Sequence, residues 1–294
     1  MKKQGRFYLT ILLLLFNLLF FSNISVKAAE ESTEESAKRL NYESNAVLAL
    51  NYHRVRDINW LDRFLLFFSN PYELKRYSVS TEEFKRQMNW LVDHDAQFLT
   101  LDELIKYKEA GQFPERSVWI NFDDMDHTIY DNAFPILKKL AIPATGFVIT
   151  GQIGNSNFSD MNMINTKELN EMYQTGLWEF ASHTHDLHYL DAKNRSLLAR
   201  KNYTTIYQDL QKSNQYLKNE WDIDNRSLAY PYGEGNDTVA KALENTGIKY
   251  AFTLEEKVIT PDLNDQYLPR ILMNNSSFER LIETWKGFET NEVD

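Results

Sequence analysis

Residues 116–150, RSVWINFDDMDHTIYDNAFPILKKLAIPATGFVIT, decide the fold. RSVWINF (116–122) is a short apolar run of the kind a buried strand needs, TIYDNAFPILKKL (128–140) reads as a helix, and ATGFVIT (144–150) is a second strand. A strand, a helix and a further strand form a βαβ unit, whose two strands run parallel because the helix crosses over between them.

The same alternation extends in both directions. Upstream, AVLALNYH (46–53) is a buried-strand run. STEEFKRQMNWLVDH opens with Ser80 and Glu83 at capping-box spacing and places Phe84, Met88 and Leu91 on one helical face. LDELIKYKEAG follows as a helix stopped at Gly111. Downstream come the helix TKELNEMYQTG ending at Gly176, the strand LWEFASH, a long helix over 196–220, the strand SLAYPYG and the helix DTVAKALENTG. Strands KYAFTL and YLPRILM precede a final helix, SFERLIETWKGF. Seven or eight βα units predict an α/β fold, a distorted (β/α) barrel that is closed or nearly closed. No sequence repeat and no Pro-, Gly- or Ser-rich linker divides residues 46–294, so they are expected to form one domain.

The N-terminus reads differently. Lys2, Lys3 and Arg6 precede an apolar run from Phe7 to Phe21, and Val26 and Ala28 have the small-residue spacing of a signal-peptidase site. The run is shorter than the roughly 20 residues that cross a bilayer. Residues 1–28 are therefore expected to be a signal peptide and 29–45 a flexible leader, with the product secreted and retained at the cell wall or surface. Without residues 1–28 the chain keeps 28 basic against 42 acidic residues, a net charge of −14. Such a surface repels nucleic acid and suits a neutral or cationic partner. The chain contains no cysteine, so stability must come from packing, and a monomer is expected.

In such barrels chemistry gathers at the C-terminal ends of the strands. His53, Asp123 and Asp124, the SHTHDLH segment (182–188) and YPYG (230–233) all fall there. SHTHDLH holds His183, His185 and His188, three of the six histidines in the chain. Two imidazoles and one carboxylate form a facial triad suited to Zn²⁺ or another borderline divalent ion such as Ni or Co. A second carboxylate and a further histidine nearby would complete a hydrolase. Spacing alone leaves the histidine pair open: His183 and His185 share a face if the strand persists, whereas His183 and His188 converge only if the chain turns after Thr184.

These residues resemble the polysaccharide deacetylases of carbohydrate esterase family 4, the NodB-homology type. That family has an Asp-Asp at a strand end, a His-Ser/Thr with a second histidine a few residues on, and an aromatic-Pro-Tyr-Gly loop. LALNYHRV, SVWINFDDMDHTIYDNAFPILKK, IPATGFVITG, GLWEFASHTHDLH and LAYPYG are most similar to its exported branch with permuted motif order, which acts on poly-β-1,6-N-acetyl-D-glucosamine. The resemblance covers about Ala46 to Phe288. It implies that Asp123 is the general base, that His53 is the general acid, and that Asp124, His183 and His188 bind the metal. It also implies that the backbone N–H of Tyr232 contacts the oxyanion. Tyr230 is a further candidate for the sugar. The product would be a partially deacetylated, cationic exopolysaccharide for biofilm adhesion.

Family members carry an arginine before the Pro-Tyr/Phe-Gly loop that tethers the base. SLAYPYG has none there, and Arg270 in YLPRI is the expected replacement. His185 and His127 are left outside the metal set, and His94 is read as a helix C-terminal residue. The apolar stretch 59–72, NWLDRFLLFFSNPY, is read as core, with peripheral contact to a membrane or the cell surface as the alternative. Two other activities would use the same residues: a barrel glycoside hydrolase with paired carboxylates, or a non-catalytic polysaccharide-binding surface protein.

Overall fold

The computed structural model describes residue 40 and residues 44–57 and 76–289. The expected signal peptide, most of the expected leader, and the stretch 59–72 lie outside the described residues. In chain order the elements are β1 (Val47–Tyr52), β2 (Arg54–Arg56), β3 (Ser78–Ser80), α1 (Thr81–Asp93), β4 (Gln97–Phe98), α2 (Leu101–Ala110), β5 (Ser117–Phe122), α3 (Phe134–Leu140), β6 (Ala144–Val148), α4 (Thr166–Tyr173), β7 (Trp178–Ser182), α5 (Tyr203–Trp221), β8 (Ser227–Ala229), α6 (Asp237–Asn245), β9 (Tyr250–Phe252) and β10 (Ile271–Leu272).

The main sheet has the order β10-β1-β5-β6-β7-β8-β9, with β4 paired to the start of β5 and every pairing parallel. Its two edges meet through one segment. Leu268 bridges Phe252 of β9, and three residues later Ile271 and Leu272 pair with Leu50 and Asn51 of β1. This stitch curls the sheet into the distorted barrel that the βα alternation predicts.

Alternation along each strand sorts the side chains. Leu48, Leu50 and Tyr52 of β1 and Val118, Ile120 and Phe122 of β5 pack outward with Phe84, Met88 and Leu91 of α1 and Leu137 of α3. Val47, Ala49, Trp119, Phe147, Ala181, Ala229 and Phe252 point inward. The rings of Trp119, Phe147 and Phe252 meet there, with centroids 4.7–6.0 Å apart, and plug the barrel. Buried on both faces, these strands read as continuous apolar runs.

Four segments differ from the sequence expectation. The long helix begins at Tyr203 rather than 196, because the Asn202 side chain accepts the Thr205 N–H and caps it. Residues 129–133 wind as a single π-type turn before α3. The strand over 227–233 stops at Ala229, where Pro231–Gly233 turns sharply. The final segment forms short π and 3₁₀ turns at Phe278–Ile282 and Lys286–Phe288, not an α-helix.

Candidate active site

The inward phase of the strands continues upward from the aromatic plug. Two residues above Ala49 stands Asn51 and then His53; above Trp119 stand Asn121 and then Asp123; above Ala181 stands His183. Asn51 donates to Asn121 Oδ1 at 2.9 Å, and both asparagines are fully buried. The strand period thus carries polar groups to the barrel mouth.

Local bends then gather them. Asp124 and Met125 take left-handed backbone conformations, φ 66° and 67°, so the chain leaves β5 without the pleat that would separate the two aspartates. The Met125 sulfur occupies the space a side chain at Gly146 would need, since a Cβ there would lie 2.6 Å from it. Thr184, at φ 75°, turns the chain after His183, and Tyr232, at φ 60°, bends the loop after β8. The Tyr232 ring sits 4.8 Å from that of His188.

Asp124, His183 and His188 each offer one ligand atom, all within 4.8 Å of one another, and all three are buried. Asp124 Oδ1 has no hydrogen-bond partner among the described residues, yet it faces His183 Nε2 at 3.5 Å and His188 Nε2 at 3.2 Å. A buried carboxylate oxygen left in that position is costly, and a divalent cation would satisfy it. His183 Nδ1 lies 2.8 Å from the Ala229 carbonyl, which commits its proton there and leaves Nε2 as the atom turned to Asp124. Burial drives the His188 pKa down to about 4, against the pull of Asp124, and so favours the neutral ligating form. The residues fit a divalent metal.

Beside this group, Arg270 donates from Nη1 to Asp123 Oδ1 at 2.6 Å and from Nη2 to Oδ2 at 2.9 Å. The same Nη1 reaches Asn121 Oδ1 at 2.9 Å, and the guanidinium lies 5.1 Å over the Phe147 ring. Burial alone would raise the Asp123 pKa, but Arg270 and His183 outweigh it and hold the carboxyl below its ordinary value. His53 Nε2 is 3.9 Å from Asp123 Oδ2, and its ring packs 4.9 Å from that of Tyr77. Burial lowers the His53 pKa, with Asp123 and Asp124 opposing the shift. His53, Asp124, His183, His188, Tyr232 and Leu254 face a cleft of about 360 Å³, with Tyr77, Tyr189 and Leu190 also on its wall.

Of the remaining aromatic and histidine side chains, one departs from its expected place. Tyr230 does not reach the cleft: it is fully buried, stacked on Tyr267 and pressed against Gly235, which corrects its assignment to the sugar. Trp119 and Trp178 are core residues. His185 turns away from the metal trio and meets Thr150 Oγ1 at 3.0 Å. His127 is clamped between Asp131 and Glu168, and His94 stacks on Trp90 at the end of α1. Asn51, Asn121 and the Ala229 carbonyl went unassigned in the sequence reading. The asparagines carried a signal, being lone polar residues inside apolar strands and in phase with His53 and Asp123; the carbonyl carried none.

A protein-family profile described as polysaccharide deacetylase matches residues 110–251, a span that includes Asp123, Asp124, His183, His188 and Tyr232 but neither His53 nor Arg270. The chain is 50% identical over 290 residues to the poly-beta-1,6-N-acetyl-D-glucosamine N-deacetylase of Staphylococcus aureus, covering 99% of this chain and 100% of that protein. The protein of the same name from Staphylococcus epidermidis is 52% identical over 279 residues, 95% of each chain. Among solved structures, IcaB from Ammonifex degensii gives a TM-score of 0.72 at 29% identity, over 85% of this chain and 99% of that one. The deacetylase PplD of Streptococcus pyogenes, solved in complex with acetate, gives 0.68 at 26% identity, over 82% and 99%.

Proposed function

The chain belongs to the polysaccharide deacetylase family, and on that basis we infer that it hydrolyses the N-acetyl groups of poly-β-1,6-N-acetyl-D-glucosamine. The observation that carries this reading is the adjacency of two differently prepared carboxylates: Asp123, paired with Arg270, and Asp124, whose Oδ1 has no hydrogen-bond partner among the described residues and faces two imidazoles.

Asp124, His183 and His188 would hold a divalent ion, Zn or another borderline metal such as Ni or Co. When bound, such an ion supplies Lewis acidity toward the acetamide carbonyl and acidifies a neighbouring water. Asp123 takes the proton from the attacking water; its depressed pKa keeps it ionised and ready at neutral pH. His53, which lines the cleft, delivers a proton to the departing amine; burial opposes the imidazolium this requires, and the charges of Asp123 and Asp124 support it. The backbone of Tyr232, turned left-handed beside His188, is the contact for the developing oxyanion. Arg270 orients Asp123 and balances its charge.

Each acetyl removed exposes an amine, so the polymer becomes cationic, the charge expected of an exopolysaccharide that adheres to acidic surfaces. The acidic, exported chain would act at the cell surface and attract its product. The test is acetate release from poly-N-acetylglucosamine, with and without a chelator, by the wild type and by Asp123→Asn. Chelator-sensitive release that Asp123→Asn abolishes supports the reading. Chelator-insensitive release overturns it, and shortened chains without acetate would indicate a glycosidase instead.

A further inference from the structure

Asp209 lies on the buried face of α5, 7% exposed, and takes no part in the chemistry above. Its Oδ2 accepts the backbone N–H of His185 at 2.8 Å and its Oδ1 that of Asp186 at 2.7 Å. One helical turn on, the Ser213 hydroxyl meets Ser182 Oγ at 2.8 Å, and Ser182 Oγ accepts the Thr184 N–H at 3.1 Å. Three successive N–H groups beyond β7 are therefore satisfied by α5, directly or through Ser182, where no strand partner serves them.

The other side of the segment is held as firmly. The carbonyls of Thr184 and His185 accept the N–H groups of Thr150 and Gly151 at 3.1 and 2.9 Å. A Cβ at Gly151 would stand 2.4 Å from the His185 carbonyl oxygen, so only glycine allows this approach. Between the two clamps sits Thr184, a β-branched residue at φ 75°, a conformation that persists only when its surroundings enforce it.

We propose that Asp209 is a positioning residue for metal binding: its carboxylate holds the turn at Thr184 so that His183 and His188 converge on Asp124. The inference rests on the metal-site reading above. Without the carboxylate, two N–H groups lose their acceptor, the turn relaxes toward an extended path, and the imidazoles separate.

Asp209→Asn tests this, because it is nearly isosteric but replaces one acceptor with a donor aimed at an N–H. Metal-free wild type and variant are titrated with Zn²⁺ against a chromogenic chelator, alongside apo-protein melting and acetate release at limiting and excess Zn²⁺. The expected result is a zinc Kd raised roughly tenfold, the lower end for residues that orient metal ligands, with acetate release recovering at excess Zn²⁺. A lowered melting temperature with unchanged zinc affinity overturns the proposal. Should Asp209→Asn fail to fold, Ser213→Ala, which loosens the same turn by one hydroxyl, carries the test: a raised Kd supports the proposal and an unchanged one overturns it. If the wild type binds no zinc, nickel or cobalt, the metal-site reading has failed, a result distinct from unequal or equal binding by the variants.

Discussion

Arg270 and Asp123 share two hydrogen bonds, 2.6 and 2.9 Å long, in a barrel interior where neither side chain is more than 1% exposed. Desolvating both charges is costly, and the bidentate pair, with the contacts of the guanidinium to Asn121 and Phe147, offsets it. Arg270→Met leaves a buried carboxylate without a counter-charge and is expected to destabilise the fold by about 3–5 kcal/mol, read by urea unfolding. Arg270→Lys keeps the charge but loses the fork. One charge-assisted bond is worth about 1.5–3 kcal/mol, so kcat should fall roughly ten- to hundredfold while zinc content stays as in the wild type.

Asp123→Asn removes the proposed base and leaves Asp124, His183 and His188, the candidate metal group, in place. Acetate release is expected to drop by about 10²–10⁴-fold, the usual contribution of a positioned proton acceptor, with zinc stoichiometry unchanged. Parallel loss of zinc would mean that Asp123 is a ligand instead.

The three clustered histidines should separate by metal content. His183→Ala and His188→Ala each remove an atom facing Asp124 Oδ1, so purified variants should lose most of their zinc and their activity. His185→Ala removes a contact to Thr150 and leaves the trio untouched, so its zinc content should match the wild type. Elemental analysis after dialysis distinguishes the three.

His127 provides a pH test away from the reaction. Burial alone would lower its pKa, but its contacts to Glu168 at 3.1 Å and Asp131 at 2.9 Å outweigh that and raise it above 6.5. A group whose folded pKa exceeds its unfolded value stabilises the fold fully below the unfolded pKa, and the contribution disappears as pH rises through the folded one. The melting-temperature gap between wild type and His127→Gln should therefore be wide at about pH 5.5 and close by about pH 9. A gap independent of pH would show that the two contacts are not ionic.

The barrel was legible because strand period and helix period alternate over almost the whole chain, and because the inward phase of β5 runs through Asn121 to Asp123. Helix starts were less so. Leu197, Leu198 and Ala199 carry the helical pattern back to 196, and the stop lies in the Asn202 side chain, which accepts the Thr205 N–H. Tyr230 misled for a related reason. It shares the loop with Tyr232, but the turn at Pro231 sends one ring into the core and the other to the cleft. Arg270 was visible only as a missing arginine elsewhere, and Asp209 was not visible at all. It is 24 residues from the amide it caps, and a carboxylate within a long helix carries no mark of its partner.

The segment that joins the two edges of the sheet, Leu268 to Leu272, also contains Arg270. Joining the sheet edges and seating the partner of Asp123, the proposed base, are thus tasks of one segment. A chain ending before residue 268 would retain Asp123, Asp124, His183 and His188, yet Asp123 would lose both hydrogen bonds from the Arg270 guanidinium. The strand pairing that joins the sheet edges and the ion pair that orients Asp123 therefore stand or fall together, so a lesion in this short segment would be felt in fold and turnover alike.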